Sequence, residues 1–439
     1  MSRVLEMSGS PTAASRSAAI TRQTSIYLIC GGIFLLAFCI RIVLLFVTKS
    51  YLSQEHSELV LVAISLAQGR GFANAFGNTG PTAHMPPLYP FFLSLVYRTF
   101  GLGTAGEIAQ EVLSCSFASL TWALIPALGE ICQLDRRIGI AAALVGATLT
   151  INRWAETKGS SEAAMAGLIC LLMFMFYMKC WYARDFSLRA GVFAGILSGL
   201  AILVSATLAS IVIGLLITGY IIFRKLPHWR YLRFASVAVI FVFATLFPWA
   251  LRNYVVLGGL VWTRSNLPLE LMVSNNDYAQ PTLNHNEQSG YRYHPFMSPE
   301  QRGLVRRMGE LAYQRKLKGE VLLWIRTHPQ RFATLTLHRI YYFWIPEMKR
   351  PIQTVFLALL LVISVPSLIF LLKQQQLVAY GVLTMWIMYP LIYYVIQAHP
   401  RYAYPIQWTL YYLSSAGILA VFRAGKLSQP VTSHETSIA

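Results

Sequence analysis

From Ser25 to Val47 the chain runs for 23 residues with one charge, Arg41. A helix needs roughly 20 apolar residues to cross the hydrocarbon core of a bilayer. Runs of this kind recur, and ten spans are placed at about 25–47, 107–130, 138–152, 160–180, 189–203, 205–223, 234–252, 351–372, 377–397 and 406–422. The third and fifth are short, and the fifth and sixth almost fuse through LSGLAILVSATLAS. Lipid offers no partner to backbone polar groups, so segments this apolar read as helices. The expected fold class is an all-α polytopic membrane protein with about ten transmembrane helices.

The charge fits that reading better than its rival. A formal charge of +18 would suggest nucleic acid in a soluble protein. Here 56% of residues are hydrophobic and 12% charged, whereas soluble domains carry about 25% charged residues. Lys and Arg belong in the cytoplasmic loops of membrane proteins, so no nucleic-acid partner is expected. The six cysteines lie in or beside apolar runs and none falls in the large polar loop, which argues against disulfides and a cysteine metal site. Residues 1–23 are polar and too poor in apolar residues for a signal peptide. The first run lacks an obvious cleavage site and reads as a retained helix.

One apolar run does not fit. Leu88–Phe100 has 13 residues and follows TGPTAHMPP, which is rich in proline. That length suits a re-entrant or interfacial segment. With this run left outside and the N-terminus inside, the inner loops hold fifteen basic residues and the short outer loops six. Letting it cross would swap every later loop and destroy the bias. The expected organisation is a cytoplasmic tail, 1–24; an N-terminal transmembrane module, 25–252, with a first outside loop at 48–106; a large periplasmic loop, 253–350; C-terminal transmembrane helices, 351–422; and a second cytoplasmic tail, 423–439. Within the large loop, Leu304, Met308, Leu311, Leu317, Val321 and Leu322 recur near helical spacing, and Pro329 marks the end of that helix.

The residues that could do chemistry cluster on the outer face. Glu55 and Glu58 precede an amphipathic helix carrying Leu59, Val62, Ala63 and Leu66 on one side. Three residues apart, they face the same way if the turn is helical. A carboxylate there can take the proton of an attacking hydroxyl; acids at a helix start are also favoured simply by the helix dipole. Arg41 and Glu111 lie at comparable depth in the first two spans, and a buried ion pair between them is expected. Arg252 ends the seventh span, and QAHPRYAYP joins the last two, bringing His399, Arg401 and Tyr402 to the outer face. The arginine fork matches two phosphate oxygens, while headgroup anchoring is the plainer role. Glu270 and Asn275 stand in the large loop. Its histidines, His294 among them, lack zinc-site spacing, so no metal ligands are assigned; a divalent metal is compatible but unsupported. There is no Walker loop, dinucleotide fingerprint or G-x-S-x-G, and no cofactor is required by anything in the chain.

The order of motifs resembles a known family. The acidic loop is followed by A-x-x-L-x-x-G-x-G-F, G-P-T-A-x-x-P-P-L-Y-P, P-W-x-x-R-N-Y-x-x-x-G, M-G-E-L-A-Y, H-P-x-R-F and H-P-R-Y-x-Y-P. This resembles the GT-C glycosyltransferases, specifically bacterial members of glycosyltransferase family 39 type, related to protein O-mannosyltransferases and aminoarabinose transferases. The resemblance runs over most of Ser25 to Arg423. It implies an enzyme of the bacterial cytoplasmic membrane with its active site on the periplasmic side. The implied partners are a polyprenyl-phosphate-linked sugar, membrane lipids, and an acceptor that is a glycan, lipid or protein. By the same resemblance Glu58 or Glu55 is the base, in place of the family's usual aspartate. Leu59 stands where tyrosine is common. Met85, after His84, stands where a lysine often holds the lipid phosphate, which leaves Arg401, Arg252 and His84, with His399 and Tyr402 beside them, as phosphate and donor residues. Glu270, Asn275, His294, Glu310 and Tyr313 are expected in the acceptor-facing loop. Competing readings are a flippase or transporter for a lipid-linked anion, an O-antigen ligase-like transferase, and an inactive family member kept as a scaffold.

Overall fold

The computed structural model describes residues 13–53, 56–225, 228–289 and 293–427. Its first helix, α1 (Ala13–Thr48), starts earlier than the polar tail suggested, because AASRSAAITRQ contains no proline or glycine to stop a helix. A 3₁₀ turn at Ser50–Ser53 leads to α2 (Glu58–Ala67) and α3 (Leu88–Phe100). The N-terminal module continues with α4 (Thr104–Ile131), α5 (Arg136–Thr148), α6 (Arg153–Thr157), α7 (Ala163–Ala183), α8 (Leu188–Val204), α9 (Leu208–Phe223) and α10 (His228–Leu257). The large loop folds as α11 (Leu267–Ser274), α12 (Leu283–Gln288), α13 (Pro299–Met308), α14 (Glu310–Thr327) and α15 (Pro329–Trp344). The chain ends with α16 (Pro351–Lys373), α17 (Leu377–Met388) and α18 (Pro400–Leu427). No strand is present among the described residues; only isolated bridges join Ala73 to Pro81 and Thr282 to Ala398.

Among the described residues, six helices are long and apolar enough to cross a membrane: α1, α4, α7, α10, α16, and α17 taken with the 3₁₀ turn that follows it. The helices α8 and α9 are apolar but shorter. They are separate, because the chain breaks at Ser205–Thr207, where the Ser205 and Thr207 hydroxyls bond each other at 3.1 Å. The run expected at 377–397 is helical only to Met388; Pro390 lacks an N–H, and the chain tightens into a 3₁₀ turn, Pro390–Tyr394. The helical stretch of the large loop is likewise two helices. Gly309, at φ +78, turns the chain between α13 and α14 in a conformation costly for any side chain.

Close packing joins the apolar helices. A side chain at Gly195 of α8 would meet the Ala238 carbonyl of α10 at 2.4 Å, so this pair approaches at backbone distance, as small residues allow in membrane helices. Arg41 is fully buried and pairs with Glu156 of α6 at 2.8 Å, not with Glu111 as expected. Glu111 instead accepts a hydrogen bond from Ser50. Arg41 also donates from its two terminal nitrogens to the carbonyls of Ala37, Gly146 and Ala147, partners that lipid would not supply.

The outer layer has its own core. Leu59, Val60 and Ala63 of α2 pack on Tyr89, Leu93 and Tyr97 of α3. On the other side Val62, Phe72 and Phe76 meet Leu269, Val273, Tyr313, Leu317 and Val321 from the large loop. The helix α2 and the turn after it are thereby held between α3 and the large loop, which lies about 200 residues later in sequence.

Candidate functional site

Ser57 caps α2: its hydroxyl accepts from the Val60 N–H at 3.4 Å and donates to the Ser160 carbonyl at 2.7 Å. Glu58 is the first helical residue and points into a cavity of about 370 Å³. Arg401, Tyr402, Glu270, His84 and His294 line the same cavity. The structure therefore gathers six sequence-selected residues, drawn from four regions of the chain, around one space. Glu162 and Arg264 join them, and neither was selected from sequence.

The electrostatics follow from burial. Glu58 keeps 20% of its side chain exposed, to the cavity. Desolvation raises its pKa above 4.5, opposed by its own backbone N–H and by the charges of Arg401 and Arg264. His84 and His294 are pushed the other way: burial holds His84 well below 6.5 and His294 down to about 4. Both rings are neutral at pH 7. They stack edge-on against Phe76, with centroids 4.7 and 5.6 Å away. Five helices, α2, α7, α9, α11 and α18, line the cavity with their first turns. Each such end carries roughly half a positive charge, which offsets the carboxylates and suits an anionic ligand.

Arg401 stands in the first turn of α18. Its own N–H donates to His399 Nδ1 at 3.2 Å. Its guanidinium lies over the rings of Trp154 and Tyr402, 5.3 and 5.1 Å from their centroids, and reaches the Tyr402 hydroxyl at 3.4 Å. No carboxylate lies within 4.0 Å of it among the described residues. The cation is thus held by aromatic faces and left open to an anion from the cavity. Arg264 stands 3.9 Å from Glu270, which also accepts from Asn266 Nδ2 at 3.0 Å. His399 lies behind Arg401, off this cavity, and burial keeps it well below 6.5.

Other selected residues hold the scaffold. Arg252 is turned away from the cavity and donates to the carbonyls of Thr82 and Phe72, each at 2.7 Å. Glu310 accepts from the Ala83 N–H at 2.8 Å, from Ser265 Oγ at 2.6 Å and from Thr82 Oγ1. These two residues pin the proline-rich stretch before α3 and so place His84 on the cavity wall. Asn275 is buried, donates to the Leu271 and Val395 carbonyls, and accepts from Arg339 at 3.0 Å. Tyr313 is buried and donates to Gln301 Oε1 at 2.9 Å. Glu55 lies outside the described residues.

Glu58, His84 and His294 offer ligand atoms that all lie within 4.8 Å of one another, the spacing of a metal triad. The tautomer at His294 argues against an ion in this arrangement. Its Nδ1 accepts the Phe296 N–H at 3.2 Å, so the neutral ring carries its proton on Nε2, the nitrogen 3.4 Å from Glu58. Coordination through Nε2 would need a proton on Nδ1, against the Phe296 N–H; coordination through Nδ1 would displace that N–H. His84 Nδ1, by contrast, is buried without a partner. As arranged, the three residues do not fit a metal.

No protein-family model and no curated protein matches this chain. Solved structures do. The chain is similar to the oligosaccharyltransferase of Archaeoglobus fulgidus: to its apo form, with TM-score 0.56, 12% identity, and coverage of 91% of this chain and 51% of that one; to its complex with zinc and sulfate, with TM-score 0.53, 13% identity and coverage of 90% and 50%; and to AglB of the same organism bound to an inhibitory peptide and a dolichol-phosphate, with TM-score 0.54, 12% identity and coverage of 91% and 51%. The likeness is one of fold. The chain spans about half the length of the structures it matches.

Proposed function

We propose that this protein is a membrane glycosyltransferase that moves a sugar from a polyprenyl-phosphate donor to an acceptor hydroxyl at the outer face of the bacterial cytoplasmic membrane. The observation that carries the reading is that Glu58 and Arg401 line one cavity. The acceptor oxygen attacks the anomeric carbon while the bond from that carbon to the phosphate oxygen breaks. Glu58 takes the acceptor's proton. The electron pair of the broken bond goes to the phosphate, whose growing charge Arg401 and Arg264 neutralise together with the converging helix ends. Glu270 and Glu162 are positioned for sugar hydroxyls, and Tyr402 fixes Arg401. Glu58, raised by burial, is a better proton acceptor than a solvated carboxylate would be.

Ten traverses by α1, α4, α5, α7, α8, α9, α10, α16, α17 and α18, with α2 and α3 on the outer surface, agree with the charge bias of the loops. The fold likeness to an oligosaccharyltransferase supports the class of reaction, and a dolichol-phosphate bound to one such structure supports the donor. Purified Glu58→Gln protein in nanodiscs, given a radiolabelled polyprenyl-phosphate sugar, should retain the donor and fail to transfer it. Full transfer by that variant would remove Glu58 from the base role.

A further inference from the structure

A second cavity lies behind Arg401. It measures about 780 Å³ and shares only Arg401 with the cavity of Glu58. Its lining differs in kind. Arg153, Lys158, Lys349, Arg350 and Arg401 supply five cations, against two acids, Glu287 and Glu347. Glu347 already faces His285 at 3.7 Å. Arg153, Lys349 and Arg350 make no ion pair among the described residues. Such a net-positive cleft concentrates anions.

The other wall is apolar and belongs to the outer end of α1. Leu44 and Val47 line the cavity there, and Val47 is 72% exposed. Val43 and Phe46 of the same turn are exposed too, so the wall continues into the lipid-facing side of the first span. A ligand filling this space would set a phosphate among the cations and an acyl or prenyl chain against α1. A soluble anion would use the first feature and waste the second.

We infer that this cavity is a second binding site, for the headgroup of a phosphate-bearing lipid taken laterally from the leaflet that Glu58 and Arg401 face. Sugar transfer in the neighbouring cavity is not needed for it to bind. Arg401, reached from both sides, is where the two cavities meet.

Native mass spectrometry of the full chain in neutral detergent tests the site with dioleoyl phosphatidic acid, and with dioleoyl phosphatidylcholine as the uncharged comparison. Phosphatidic acid should bind in preference. The triple variant Arg153→Gln/Lys349→Gln/Arg350→Gln should weaken it on the order of a hundredfold at low salt, and Arg350→Gln alone about fivefold, as each cation near a headgroup is removed. Removing the same charge from the exposed face of α14, with Arg315→Gln/Lys318→Gln/Arg326→Gln, should leave binding unchanged. Equal loss in both triple variants, or none in the first, would overturn the assignment. So would displacement of the lipid by equimolar inorganic phosphate, which would make the cleft a site for the free anion.

Discussion

Glu58 Oε1 and His294 Nε2 stand 3.4 Å apart, and the Phe296 N–H on His294 Nδ1 places the imidazole proton between them. The pair is a carboxylate facing a neutral N–H donor, not two ligands awaiting an ion. Burial works against the charged carboxylate there, and its own backbone N–H and the charges of Arg401 and Arg264 favour it.

Chelation should therefore leave transfer intact. With EDTA in excess, the purified protein should keep its rate, and elemental analysis should find less than one equivalent of zinc or manganese. Stoichiometric metal lost together with activity would mean that the turn around His294 rearranges to coordinate.

The acid side of the pH profile should report Glu58. Its pKa is raised above 4.5, and a base works only when deprotonated, so the rate should fall as pH drops while still above the ordinary carboxylate range. Glu58→Gln should lower the rate roughly a hundred- to ten-thousandfold and abolish that limb. His294→Gln should move the limb further up, because a donor to the carboxylate is weakened. Unchanged limbs in both variants would exclude the pair from catalysis.

Part of this arrangement is legible in the sequence. The segment α3 begins and ends where the short apolar run predicted, Leu88–Phe100, since proline before it and glycine after it are local signals. Glu58 and Arg401 line one cavity, and the charge bias of the sequence assigns their two loops to the same side. The partner of Arg41 is not legible: depth along a span says nothing about which neighbouring helix faces it, and the acid that reaches it, Glu156, sits in a short helix outside the expected spans. Arg252 stands out in the sequence at the end of the seventh span, and Arg264 does not. The direction of the turn after α10 decides between them, sending Arg252 to backbone carbonyls and Arg264 to the cavity. Glu162 had a signal, the Ser-Ser-Glu that opens the apolar run of α7, but read alone that is only a helix start.

Glu310→Gln should destabilise the outer layer and impair the site indirectly. The buried carboxylate accepts from Thr82, Ala83 and Ser265, and an amide can offer only one oxygen to them. Losing buried partners costs about 1–3 kcal/mol. Limited proteolysis should speed up between Phe72 and Pro87, with KM rising more than kcat falls. Because burial raises Glu310 above 4.5, the folded form binds its proton more tightly than the unfolded one, and this group's contribution to stability declines as pH rises through that window. The variant should flatten that part of the stability profile.

Arg401 separates a charge role from a shape role. Its guanidinium is wedged between Trp154 and Tyr402, so a fork, and not only a charge, is presented to the cavity. Lysine keeps the charge but loses the planar face that both rings hold, and it offers a phosphate no paired donors. Arg401→Gln removes both. If the leaving phosphate is stabilised by the fork, Arg401→Lys should lower kcat about a hundredfold and Arg401→Gln further, with donor affinity changing less than kcat in the lysine variant. If Arg401 acts only through long-range charge, lysine should restore most of the rate, and single-turnover kinetics on the two variants would show it directly. Wild-type rates in both would place the leaving group elsewhere, with Arg264 the nearest remaining cation on the cavity wall.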